Sequence, residues 1–159
     1  MEDNYIAIIA TLSGVIVGSG LTYLIEYFKQ KNLIHKYNIV FSFELQELKN
    51  ELDHVIDNYE QLDLSLTGRN TRVVPKIDPD EFLLKWNFIS KYPFLSKNFE
   101  KLSLFNEDAI TSIIKIHSLL MEYEILKDRR NGVILVGNLK KVQAELSRAI
   151  SLLKNELGD

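Results

Sequence analysis

The sequence contains no cysteine among its 159 residues. That absence excludes a disulfide framework, a cysteine-ligated zinc site and a thiol nucleophile. Histidine is also scarce, and His35, His54 and His117 form no i, i+4 pair of the kind that binds a metal from one helix face. No metal and no cofactor are therefore expected.

The chain also lacks a large net charge of either sign. The chain has 19 Lys and Arg against 22 Asp and Glu, a net charge of −3, which argues against nucleic acid as a partner. It contains no Gly-x-Ser-x-Gly elbow, no His-Glu-x-x-His pair and no Arg-x(4–6)-His pair of the helical-bundle nucleases. We therefore expect no enzymatic activity.

Charge is missing altogether from Ile6 to Ile25. At about 1.5 Å of rise per residue, a helix of that length covers the ~30 Å hydrocarbon core of a bilayer. The pattern predicts a short extracytoplasmic tail over 1–5 and a transmembrane helix over 6–28. The alternatives are a cleaved signal peptide, which normally begins with basic rather than acidic residues, and a buried helix of a soluble protein.

Basic residues follow this stretch and none precedes it. Lys29, Lys31 and Lys36 would therefore place the C-terminal part in the cytoplasm. The expected location is the inner or plasma membrane, spanned once with the N-terminus outside, and membrane lipid is an expected partner.

Small residues recur along one stripe of the same helix. Small side chains let neighbouring helices approach closely, so the stripe predicts a homo-oligomer. The predicted transmembrane packing residues are Ala7, Thr11, Gly14, Gly18 and Thr22.

The remainder, residues 29–159, is predicted to be a cytoplasmic bundle of about four helices, which makes the fold all-α. Its first helix runs to about residue 63, and from Phe41 to Leu62 its apolar residues alternate spacings of four and three, a heptad pattern. That seam is typical either of a bundle core or of a coiled coil between chains.

The later boundaries follow from capping and breaking residues. We expect a loop over 64–78, short helices over 79–105, and closing helices over 107–130 and 134–157. The last helix starts either at Val133 or at Asn138 as its cap, and Val133–Val136 is an alternative short strand.

The predicted loop is basic. Arg69, Arg72 and Lys76 lie in it, and they form either a solvated surface or a contact loop for an anionic lipid, RNA or protein partner. A protein partner in the cytoplasm is one of the partners that the sequence allows.

The order of these segments resembles that of uncharacterised prokaryotic single-pass membrane proteins with a cytoplasmic helical bundle. The matching features are the Gly14/Gly18 pair, the Glu44–Asp63 helix, Phe82–Trp86 with Pro93, and Ala109–Tyr123. One group of these proteins comprises the small membrane accessory proteins of RNA-targeting CRISPR systems. That resemblance implies oligomeric assembly into a membrane pore in antiviral defence.

Two functions are compatible with the sequence. The first is a membrane-anchored, self-associating interaction or scaffold protein. The second is an oligomeric pore or channel that acts as a stress or anti-phage effector, although the uncharged stretch offers no ionisable group for an ion pathway.

Overall fold

The computed structural model describes residues 2–66, 78–92 and 99–158, with side chains described for 13–64, 78–92 and 100–155. Every element in these ranges is helical, so the all-α prediction is confirmed for them. The chain divides into two units, residues 1–37 and residues 38–159. The elements are α1 (Glu2–Leu66), α2 (Pro79–Leu84), α3 (Phe88–Lys91), a 3-10 helix (Phe99–Leu104), α4 (Glu107–Leu126), a 3-10 turn (Lys127–Arg129) and α5 (Gly132–Gly158).

The predicted transmembrane helix over 6–28 is wrong for the described residues. Within these ranges, no helix combines enough length and apolar character to cross a bilayer. The single-pass anchor is therefore not retained.

The heptad seam of α1 is buried within the chain. No glycine or proline occurs between Leu21 and Thr67, so no helix-breaking residue lies in this part of α1. The side chains at this spacing of four and three lie in the core of the 38–159 unit. Those with less than a tenth of their surface exposed are Phe41, Leu45, Leu48, Leu52, Val55 and Tyr59.

Helix α5 runs antiparallel to this part of α1. The Nδ2 of Asn38 donates to the carbonyl of Leu153 over 3.0 Å, while near the other end of the pair Lys140 donates to Glu60 over 2.6 Å. Apolar residues of α5 complete the core beside the seam; they are Leu135, Leu139, Val142, Leu146, Ala149 and Leu153. The 38–159 unit is therefore a helical bundle.

Helix α4 is the third long helix, and its start follows from the sequence. Asn106 caps it by accepting from the amide of Ala109 over 2.8 Å, and Glu107 and Asp108 in the first turn suit the helix dipole. Its apolar face packs against α5, with Ile113, Ile116, Leu120 and Tyr123 fully or almost fully buried.

The last helix begins earlier than either predicted start. It opens at Gly132, so Val133–Val136 is helical and not a strand, and Asn138 lies inside the helix rather than at its cap. Asn138 is only 3% exposed, and its side-chain amide forms no hydrogen bond with the described residues. The polar residue that suggested a boundary is therefore an interior residue of α5.

Between α1 and α4 the described residues form α2, α3 and the 3-10 helix Phe99–Leu104, in the region where the sequence predicts short helices over 79–105. Asp78 accepts from the amide of Asp80 over 2.9 Å and Pro79 occupies the first turn, as expected of a helix start. Asn87 caps α3 by accepting from the amide of Ser90 over 3.0 Å.

Glu145 of α5 joins α4 and α5 and makes the stability of the bundle pH-dependent. Its pKa is lowered, chiefly because Lys115 donates to it over 2.8 Å and also because Ser112 donates over 2.9 Å, and these bonds outweigh the opposing effect of burial. A lowered pKa favours the folded state above the ordinary carboxylate value of 4.5, and this contribution is lost as the pH falls through the folded value.

We therefore expect Glu145→Gln to lower the free energy of unfolding by roughly 1 kcal/mol at neutral pH, and the difference from the parent to shrink below about pH 4.5. Urea unfolding of both proteins at a series of pH values measures this. Glu122→Gln, which removes an exposed glutamate of α4, is the control and should leave the pH profile unchanged. A difference between parent and Glu145→Gln that stays constant with pH would contradict this role.

Candidate functional site

A cleft of about 470 Å³ opens on the 38–159 unit. Its volume lies within the range of small-ligand sites. The lining is acidic on one side and aromatic on the other, and it consists of Glu44, Glu47, Asn50, Glu51, His54, Trp86, Lys91 and Tyr92. No side chain on this list was among the site residues predicted from the sequence.

Helix α1 supplies the acidic side of the cleft. Glu44, Glu47 and Glu51 lie three and four residues apart, so the helical repeat places them on one face. The buried seam on the neighbouring face holds this stretch of α1 against the bundle. The carboxylates are therefore presented by a fixed helix rather than by a loop.

The α2–α3 connection supplies the aromatic side. Trp86 stacks on Phe88 with ring centroids 5.9 Å apart, and its backbone carbonyl accepts a hydrogen bond from the ammonium group of Lys127. The hydroxyl of Tyr123 fixes the preceding turn by donating to the carbonyl of Leu83 over 2.7 Å. Helix α4, through Tyr123, and the 3-10 turn after it, through Lys127, thus hold the backbone that carries the indole.

Lys91 joins the two sides of the cleft. Its ammonium group pairs with Glu51 and lies 5.9 Å from the ring centroids of both Trp86 and Tyr92. The hydroxyl of Tyr92 donates to the other oxygen of Glu51 over 2.6 Å. Burial, together with this bond to Glu51, raises the pKa of Tyr92, so its hydroxyl remains a donor.

Glu44 and Glu47 carry the uncompensated charge of the cleft. The Oε2 atom of Glu44 is buried and accepts no hydrogen bond from the described residues, and neither glutamate forms an ion pair with them. Burial, reinforced by the charge of Glu47, raises the pKa of Glu44. This part of the cleft has a negative potential that a cation would relieve.

A second surface lies in the 1–37 unit. We name residues 13–28 of α1 the apolar segment, because large apolar side chains on all sides of this helix are 48–71% exposed. These side chains are Val15, Ile16, Val17, Leu21, Tyr23, Leu24, Ile25, Tyr27 and Phe28. Gly14, Gly18 and Gly20 open gaps between them, since a Cβ atom added at any of the three would meet nothing within 4 Å.

The predicted packing stripe coincides in part with this segment. Gly14, Gly18 and Thr22 lie within it, and the hydroxyl of Thr22 donates to the carbonyl of Gly18 over 2.9 Å, which satisfies a polar group within the helix. Ala7 and Thr11 belong to α1, but their side chains lie outside the described residues.

The predicted contact loop belongs to neither the cleft nor the apolar segment as the structure describes them. Arg69, Arg72 and Lys76 lie outside the described residues. Within the described part of the chain, no group of three or more His, Asp and Glu residues is arranged to hold a metal ion.

Comparison of the chain with known protein families, curated proteins and solved structures found no match.

Proposed function

We propose that this chain is a non-enzymatic interaction protein that self-associates through the apolar segment and presents its helical bundle to a partner. The observation that carries the proposal is the exposure of nine large apolar side chains between Val15 and Phe28. Contiguous exposed apolar surface of this kind marks sites of association. The lack of catalytic motifs in the sequence supports a binding role rather than an enzymatic one.

Summed over all sides of the helix, the exposed apolar area is comparable with the area that one chain contributes to a specific contact. A specific interface needs about 800 Å² from each partner. Tyr23, Tyr27 and Phe28 are 52–70% exposed; since an aromatic side chain covers about 150–250 Å², these three alone offer roughly 300 Å². The six aliphatic residues add several hundred more. Burial of this area would favour association without a contribution from hydrogen bonds.

A second copy of the chain is the occupant that best suits this surface. The apolar segment carries one charged residue, Glu26, so two copies meet without a row of like charges. The gaps at Gly14 and Gly18 let the backbone of another copy approach closely, while the large side chains on either side supply contact area. Identical patches on two copies can form a symmetric, closed interface.

The test is the protein mass of the full-length complex, measured by light scattering in a mild non-ionic detergent with the detergent contribution subtracted. We expect a multiple of the 18.4 kDa chain mass. The double variant Val17→Lys/Leu21→Lys should reduce the mass to that of one chain, because burying two unpaired ammonium groups opposes association.

Ser118→Lys/Ser151→Lys is the matched control, since it adds the same charge at exposed positions of α4 and α5. This variant should keep the mass of the parent. A parent protein that has the mass of one chain, with detergent or lipid covering the apolar segment, would overturn the proposal. An oligomer that survives both lysine pairs would also overturn it, because association would then occur elsewhere.

A further inference from the structure

The geometry points to a binding site for an organic cation in the cleft formed by α1 and the α2–α3 connection. We propose that Glu44 and Glu47 receive an ammonium or guanidinium group, with Trp86 and Tyr92 covering its apolar part. Such a cationic group could belong either to a lysine or arginine side chain on a partner segment or to a free alkylamine. The cleft belongs to the 38–159 unit, so this inference does not depend on self-association through the apolar segment.

The charge balance of the cleft supports this ligand class. The lining contains three glutamates and one lysine. That lysine, Lys91, is paired with Glu51, which leaves the charges of Glu44 and Glu47 unbalanced. Glu44 retains a buried oxygen that accepts no hydrogen bond within the described residues. A carboxylate without a partner is costly, and a charged donor bound to Glu44 or Glu47 would form a hydrogen bond stronger than a neutral one.

The aromatic side supports a cation with an apolar stem. Lys91 already places its ammonium group within 6 Å of the centroids of both Trp86 and Tyr92, which is the range of cation–π attraction. The chain's own lysine therefore shows how a cation lies between these rings and a carboxylate. A ligand would repeat this arrangement beside Glu44 and Glu47.

Trp86 provides a direct measurement, because it is the only tryptophan in the chain. Its fluorescence would be recorded while the full-length protein is titrated with the blocked tripeptides acetyl-Gly-Lys-Gly-amide and acetyl-Gly-Arg-Gly-amide, and separately with butylammonium. The norleucine tripeptide, which has the lysine stem without the charge, is the ligand control. We expect saturable binding of the cations and none of norleucine. A response to butylammonium as strong as that to the tripeptides identifies a free amine as the source, and a response to the tripeptides alone identifies a protein segment.

Glu44→Gln/Glu47→Gln should weaken cation binding about tenfold or more, because it removes both charges and keeps the side-chain shape. Glu107→Gln/Glu122→Gln is the matched control: it removes the same charge from exposed positions on α4 and should bind like the parent. Lys91→Met should strengthen binding several-fold, since it removes the competing ammonium group from between the rings.

Three results would overturn the inference. The first is norleucine binding as well as lysine, which would make the cleft a site for apolar groups. The second is equal weakening by the two glutamine pairs, which would assign the effect to overall charge. The third is the absence of a saturable response in both the parent and Lys91→Met, provided that circular dichroism shows both proteins to be helical.

Discussion

Replacing Tyr123 with alanine should lower the free energy of unfolding by about 3–5 kcal/mol, the range observed for large aromatic side chains removed from a core. The ring is fully buried between α4 and the α2–α3 connection, with its centroid 5.6 Å from that of Phe88. Its hydroxyl also donates to the carbonyl of Leu83 over 2.7 Å. The substitution therefore leaves a cavity and removes one hydrogen bond from that carbonyl, which keeps the bond from the backbone amide of Trp86 over 3.2 Å. Chemical denaturation followed by circular dichroism measures the change.

Tyr123→Phe separates these two contributions. It keeps the ring and removes only the hydroxyl, so the expected loss is about 1 kcal/mol. The fluorescence of Trp86 should shift in Tyr123→Ala and change little in Tyr123→Phe, because the ring supports Phe88, on which the indole stacks. Equal losses of stability in the two variants would show that packing of the ring contributes little and would contradict this account of how α4 positions the aromatic side of the cleft.

Gly132→Ala should destabilise the bundle by about 1–3 kcal/mol, the range for an added methyl group in a packed site. Gly132 opens α5 at the point where it meets α1 and α2. A Cβ atom there would lie 2.1 Å from a carboxylate oxygen of Asp80 and 2.5 Å from the hydroxyl oxygen of Tyr59. The same Asp80 oxygen accepts a hydrogen bond from the amide of Gly132 over 3.1 Å, so the carboxylate cannot move aside without losing that bond.

Gly137 is the matched control in the same helix. A Cβ atom at Gly137 would meet nothing within 4 Å, so Gly137→Ala should stabilise the protein by up to about 1 kcal/mol through its helix propensity. The cost of Gly132→Ala should also fall when it is combined with Asp80→Ala, because one of the two close contacts is then removed. Stabilisation by alanine at both glycines would contradict the close approach at Gly132.

The sequence was most informative where local chemistry decides the structure. Asp78 and Asn106 carry the side chains that cap a helix, and both are observed as caps. The heptad spacing from Phe41 to Leu62 correctly identified the face of α1 that packs, because side chains at these spacings lie on one side of a helix. Whether that face packs within one chain could not be predicted, because the same spacing occurs in the core of a helical bundle and in a coiled coil between chains.

The cleft was missed because its contacts join distant parts of the chain. Glu51 meets Lys91 and Tyr92 across some 40 residues, and no local pattern encodes that meeting. The available signals were the row of glutamates at helical spacing and the aromatic residues beside a proline. Of the two starts considered for α5, the one near residue 133 lies within two residues of the observed start at Gly132, whereas Asn138 has the chemistry of a cap but is buried within the helix by tertiary packing.

The error over 6–28 arose from treating the absence of charge as sufficient evidence for a span. Hydropathy predicts that such a segment will be covered by apolar surroundings but does not identify them. In the structure the described part of that stretch is an exposed helical surface. We propose above that a second copy of the chain covers it.

The central claim is that copies of this chain meet through the apolar segment, and cysteine cross-linking tests it most directly. The chain has no cysteine, so a variant at each position from 13 to 28 carries a single thiol. Mild oxidation joins two copies only where their Cα atoms come within about 7 Å. We predict disulfide-linked dimers at positions that repeat every three to four residues along one face, including Gly14→Cys and Gly18→Cys, and none at the exposed control Ser151→Cys. Dimers that form equally at Ser151 and in the segment, or at no position of the segment, would contradict the claim.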